Sequence, residues 1–173
     1  MVERFVIISG CSGGGKSTLL AELSRRSYST VEEPGRRIVA EELANGGAAL
    51  PWIDPAAFAR RALEVSLRDL EFANGRTGWV FFDRGLIDAA SGLKHITGVM
   101  PTLGAIQFYR TVFMAPPWPE IYENDPARKH DMSTAVEEYD RLLLDYPALG
   151  YDVVVLPKVS VVERADFILQ QLV

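Results

Sequence analysis

Hydrophobic positions along the chain gather into short, unbroken runs. Phe5–Ile8, Trp79–Phe82 and Val153–Leu156 are continuously apolar, with Gly, Asp or Pro close by. A run apolar at every residue buries both faces, as strands inside a parallel sheet do. Ser29–Glu32 and Thr111–Ala115 are two further strand candidates.

The stretches between them read as helices. Ser17–Arg26 follows the first strand, and Arg36–Asn45 stops before Gly46-Gly47. Asp54-Pro55 reads as an N-cap followed by proline at the first helical position. It opens a long helix to about Asn74-Gly75, with Phe58, Ala62, Val65 and Leu70 on one face. Ser133–Leu149 ends at Gly150, and Ser160 with Glu163 forms a capping-box pattern at the start of Ser160–Leu172. The order is strand, helix, strand, helices, strand, helices, strand, helix, strand, helix. This alternation predicts an α/β fold with a mostly parallel sheet. The length of 173 residues fits one domain spanning 1–173, without internal repeats or low-complexity tracts. The irregular stretch Pro116–Asp131 holds Pro116, Pro117, Pro119 and Pro126 and is a candidate lid.

Composition narrows the setting. The net charge is −5, which argues against a nucleic-acid partner, since duplex binders show a broad basic face. No apolar run approaches the roughly 18 residues of a membrane span. The N-terminus lacks signal-peptide architecture and the single cysteine excludes an internal disulfide framework, so a cytoplasmic protein is expected. Of the 18 basic residues, 14 are Arg and 4 are Lys. Arg presents a planar fork of donors to phosphate or carboxylate, although a GC-rich genome also favours it.

The strongest motif is Gly10-Cys11-Ser12-Gly13-Gly14-Gly15-Lys16-Ser17, followed by Thr18. It meets G-x-x-x-x-G-K-[ST] at every fixed position, between a strand and a helix. Glycines let the loop wrap tightly and aim its amides at phosphate oxygens, and the helix N-terminus favours an anion. Lys16 can reach the β- and γ-phosphates, and the Ser17 hydroxyl can coordinate Mg²⁺. This composition gives a chance match in about one sequence in 400, before the flanking elements are counted. ATP and Mg²⁺ are therefore the expected ligands. Cys11 reads as a small filler in this loop rather than as a reactive thiol.

In open α/β sheets ligands bind at the carboxyl ends of strands. There the chain has Asp83-Arg84-Gly85 after the third strand and Glu32-Glu33-Pro34-Gly35-Arg36-Arg37 after the second. Asp83, after four apolar residues, reads as a Walker-B carboxylate for Mg²⁺, and Arg84 as a cation for transferring phosphate oxygens. Glu33 is a candidate base or acceptor ligand, with Arg36 and Arg37 beside it for charged groups. Arg128 in the candidate lid could close over the phosphates. His95 and His130 have no partner at metal-ligand spacing, so no zinc site is expected.

With these residues in place, the chain resembles the P-loop nucleoside and nucleotide kinase group. Within it, the chain is similar to small single-domain AAA-type ATPases or kinases allied to the ribosylnicotinamide kinase domain. The carrying residues are Ile8–Thr18, Glu32–Arg37 and Phe81–Gly85, with Gly150–Pro157 and Val161-Val162-Glu163-Arg164 in the tail. The resemblance implies a three-layer fold with a five-stranded parallel sheet in the order 2-3-1-4-5. It implies an acidic base or acceptor ligand at Glu33, metal or acceptor contacts at Asp83 and Arg84, and a lid arginine at Arg128. It places adenine near Pro157–Val161, with Pro157 and Val159 as contacts. Gly85 stands where deoxynucleoside kinases of this type carry Ser.

The expected function is a Mg²⁺-dependent phosphotransferase acting on a small hydroxyl or phosphate acceptor, as a monomer or homodimer. The alternatives are a regulatory ATPase or GTPase switch and a nucleotide-binding module without turnover. A guanine element is not matched, because Arg128-Lys129-His130-Asp131 has the wrong first residue.

Overall fold

The computed structural model describes residues 4–106, 108–122 and 131–172. Five strands form one sheet: β1 (Phe5–Gly10), β2 (Ser29–Val31), β3 (Val80–Asp83), β4 (Thr111–Ala115) and β5 (Asp152–Val155). Every pairing is parallel and the order is β2-β3-β1-β4-β5, as expected. The helices are α1 (Lys16–Arg25), α2 (Pro34–Asn45), α3 (Pro55–Ala73), α4 (Leu86–Thr97), α5 (Met132–Ala148) and α6 (Val161–Gln171), with a short 3₁₀ turn at Pro119–Ile121.

Side-chain alternation along the central strands builds three layers. Phe5, Ile7, Val80, Phe82, Val112 and Met114 face one way, packing with Leu70 of α3, Leu86 of α4 and Leu142 and Tyr146 of α5. Val6, Ile8, Phe81, Phe113 and Ala115 face the other way, against Leu19 and Leu23 of α1 and Ala165 and Ile168 of α6. Both faces of the sheet are therefore dry, which is why the central strands are apolar at every position.

Local signals placed the helix ends. Asp54 caps α3 through the Ala57 N–H, and Ser160 and Glu163 close a reciprocal capping box on α6. The alternation required helices between β3 and β4 without bounding them, and α4 fills that place. Because β1 is central, with β3 on one side and β4 on the other, the chain leaves its carboxyl end at the point where the strand order reverses. No helix among the described residues is long and apolar enough to cross a membrane.

Candidate active site

The loop after β1 is held by close backbone approach. Gly10 has φ +118°, and a Cβ there would sit 2.3 Å from the Ala115 carbonyl oxygen at the end of β4. The Cys11 N–H donates to that carbonyl at 2.8 Å, and Cys11 itself is buried in the core. Gly13 has φ +77°, and its missing Cβ makes room for the Tyr122 ring, 2.4 Å from where that atom would be. Lys16 folds back across the loop, its buried Nζ donating to the Cys11 carbonyl at 2.8 Å. Burial, then the charge of Arg84, lowers its pKa.

Ser17 Oγ donates to Asp83 Oδ2 at 3.0 Å. The other oxygen, Oδ1, is buried and has no hydrogen-bond partner among the described residues. Burial, then the neighbouring Glu33 carboxylate, pushes the Asp83 carboxyl up to about 6. A hydroxyl and a buried carboxylate with an unsatisfied oxygen, beside an anion-binding loop, are a donor set that fits a hard divalent cation.

Arg84 occupies the left-handed region at φ +58°, a conformation a non-glycine residue holds only when its surroundings enforce it. Its N–H donates to the Ile8 carbonyl, and its guanidinium passes beneath the phosphate loop to donate to the Gly10 carbonyl at 2.9 Å. Three carboxylates surround it: Glu138 of α5 in a direct ion pair, Asp88 of α4 at 3.6 Å and Glu33 at 3.8 Å. Burial alone would lower the Arg84 pKa, but Glu138, Glu33 and Asp88 outweigh it and the pKa is raised. Asp88 accepts from Ser9 Oγ and from Tyr146 OH, the latter at 2.6 Å, while burial pushes its carboxyl up. Burial works on Glu138 in the same sense, but Arg84, Lys16 and Arg141 overcome it and hold that carboxyl down.

Two cavities meet at this point. The larger, about 560 Å³, lies among α2, α3, α4 and α5 and reaches Ser12 of the phosphate loop. The smaller, about 400 Å³, is lined by Ser17, Thr30, Glu32 and Asp83. Glu33 and Arg36 line both, with Arg36 Nε 3.6 Å from Glu33 Oε2.

The residues read from the sequence thus separate. Ser12, Glu33, Arg36 and Arg84 come together at the larger cavity, and Ser17, Glu33, Arg36 and Asp83 at the smaller. Arg37, expected as a substrate contact, lines neither of these cavities. It pairs with Asp69 of α3 and donates to the Glu32 carbonyl at 3.1 Å. Pro157 and Val159 lie in the turn between β5 and α6. Arg128 lies outside the described residues, as does half of the candidate lid, residues 123–130. Within its described part, residues 116–122 and 131, Tyr122 lies against Gly13 and Ile121 against Gly15 of the phosphate loop.

Sequence reasoning missed Asp88, Glu138 and Arg141 at this site. The i,i+4 spacing of Arg84 and Asp88 was a usable signal. Nothing local marks Glu138, which α5 delivers from 54 residues beyond Arg84. Arg164 was also given no role. It is buried, donates to the Gly15 carbonyl at 3.3 Å and lies 5.3 Å from the centre of the Trp118 ring.

The profile of the AAA domain family matches residues 5–164. The chain belongs to that family. A probable thymidylate kinase of Pyrobaculum calidifontis is 28% identical to this AAA-domain chain over 129 residues, covering 71% of the chain and 65% of the relative. A probable thymidylate kinase of Pyrobaculum aerophilum is 27% identical over the same length, with 66% of the relative covered. The match therefore spans just under two thirds of the length of these relatives. Among solved structures, deoxyadenosine kinase from M. mycoides with dCMP and dCDP bound superposes with a TM-score of 0.61 at 16% identity, covering 97% of this chain and 98% of that one. Shikimate kinase from Acinetobacter baumannii with shikimate superposes with a TM-score of 0.60 at 15% identity, covering 98% and 93%. The AAA-domain chain has the fold of P-loop kinases.

Proposed function

We propose that the protein is a Mg²⁺- and ATP-dependent phosphotransferase that carries the γ-phosphoryl group to a small acceptor. The observation that carries this reading is the 560 Å³ cavity beside the phosphate loop, where Glu33 and Arg84 line its wall and Ser12 of the loop reaches it. A hydrolase needs room only for water there, whereas this space suits a metabolite. The relatives and structural neighbours named above support it, since their names are those of thymidylate, deoxyadenosine and shikimate kinases.

Each residue has a role that follows from its place. Phosphate-loop amides other than those of Cys11 and Gly14, which bond within the protein, bind the donor phosphates together with Lys16. Ser17 and Asp83 would hold the divalent cation, which supplies charge neutralisation on the donor phosphates when bound. Glu33, at the junction of the two cavities, orients the acceptor hydroxyl. The acceptor oxygen forms a bond to the γ-phosphorus as the bond from that phosphorus to the bridging oxygen breaks. ADP leaves with the electron pair, and the hydroxyl proton passes to Glu33. Arg84 stabilises the loop through Gly10 and faces the developing charge.

The reading is tested by ATP binding and ADP release in wild type and Lys16→Ala with Mg²⁺ present. Lys16→Ala should lose most ATP affinity or turnover. Normal binding and turnover in this variant would remove the phosphate cradle from the account.

A further inference from the structure

The charges around the larger cavity reach further than the reaction class. We infer that the acceptor is an alcohol without an anionic group, and that Glu138 sets this specificity by holding Arg84. The inference rests on the phosphotransferase reading and names the acceptor for that same site.

Four carboxylates, Glu33, Asp88, Glu137 and Glu138, line the cavity against three guanidiniums, Arg36, Arg84 and Arg141. Asp88 accepts from Ser9 and Tyr146 and also lies beside Arg84. Among the described residues the lining carboxylates thus outnumber the guanidiniums by one, and His95 also lines the cavity. Each guanidinium has an assigned partner. Arg84 meets Glu138, Asp88, Glu33 and the Gly10 carbonyl. Arg36 is paired with Glu33. Arg141 donates to Ser91 Oγ at 3.2 Å and acts electrostatically on both Glu138 and Asp145.

A phosphomonoester entering this space would bring about two negative charges at neutral pH into a lining whose described residues already hold more carboxylates than guanidiniums. It would have to displace Glu138 from a largely buried guanidinium, and the displaced carboxylate would then face the incoming phosphate. Like charges in a partly desolvated cavity repel strongly. A hydroxyl group meets no such obstacle, because it can donate to Glu33, Glu137 or Glu138 and needs no counter-charge. Val39, Phe58, Ala62 and Leu142 form an apolar part of the wall, which suits a flat or aliphatic body.

The test compares alcohols with their own phosphomonoesters as acceptors: adenosine with AMP, thymidine with TMP, and glycerol with glycerol phosphate. ADP release is followed with ATP and Mg²⁺ in wild type and Glu138→Gln. In wild type the alcohol of a productive pair should exceed its phosphomonoester in kcat/KM by about tenfold or more, and Glu138→Gln should shrink that ratio severalfold by lowering KM for the phosphomonoester. Wild-type preference for a phosphomonoester would overturn the inference and leave the phosphotransferase reading standing. Equal loss on both members of the pair in Glu138→Gln would make Glu138 a structural residue and overturn its assigned role. Failure of every acceptor to raise ADP release would overturn the phosphotransferase reading itself, and the inference with it.

Discussion

Asp83 carries a cost in the nucleotide-free protein. Its carboxyl is pushed from 3.8 up to about 6, so the folded chain keeps a proton that the unfolded chain gives up. Its stabilising contribution is therefore complete below about pH 4 and is lost as pH rises through about 6. At neutral pH the ion is a penalty that a bound cation would relieve. Asp83→Asn supplies the neutral isostere, so it should raise the unfolding free energy of nucleotide-free protein at pH 7.5 by up to about 3 kcal/mol. Urea titrations should show the gain at pH 7.5 and its disappearance near pH 4, while Mg²⁺-dependent turnover is lost. The sequence motif identified Asp83 through its place after an apolar run. It could not show the orphaned oxygen, which depends on burial beneath α1 and the β2–α2 turn.

Elements carry two more expectations. The carboxyl end of β1 approaches β4 so closely at Gly10 that a methyl group would overlap Ala115 backbone atoms. Gly10→Ala should therefore lower stability by more than about 2 kcal/mol, read by denaturant unfolding, with loss of ATP binding in the fraction that folds. On the other face of the sheet, Tyr146 reaches from α5 to Asp88 on α4 at 2.6 Å. Tyr146→Phe removes a donor from a buried carboxylate and should cost about 1–3 kcal/mol, measured the same way. The elements themselves were legible, because strand runs, the Asp54 and Ser160 caps and the glycine stops are local signals. The pairing of Arg37 with Asp69 was not, since 32 residues separate them and only the packing of α2 on α3 brings them together. Glu138 was hidden for the same reason.

At the scale of the whole molecule, the sheet order follows from a resemblance carried by the phosphate loop and the strand-end acids. The larger cavity does not, because four helices from distant parts of the chain enclose it. The skew toward arginine also resolves at this scale. Arg84 and Arg36 belong to the site, Arg164 packs on the phosphate loop, and Arg26, Arg61 and Arg110 form ion pairs elsewhere. The central claim is that the phosphate loop serves an acceptor in the adjoining cavity. Its most direct test is the ADP release rate with Mg²⁺ and saturating ATP, with and without a panel of small acceptors, coupled to detection of the phosphorylated acceptor. At least one acceptor should raise the rate tenfold or more and appear phosphorylated in equal amount to the ADP formed. ATP hydrolysis at one rate with every acceptor, and no phosphorylated product, would contradict it.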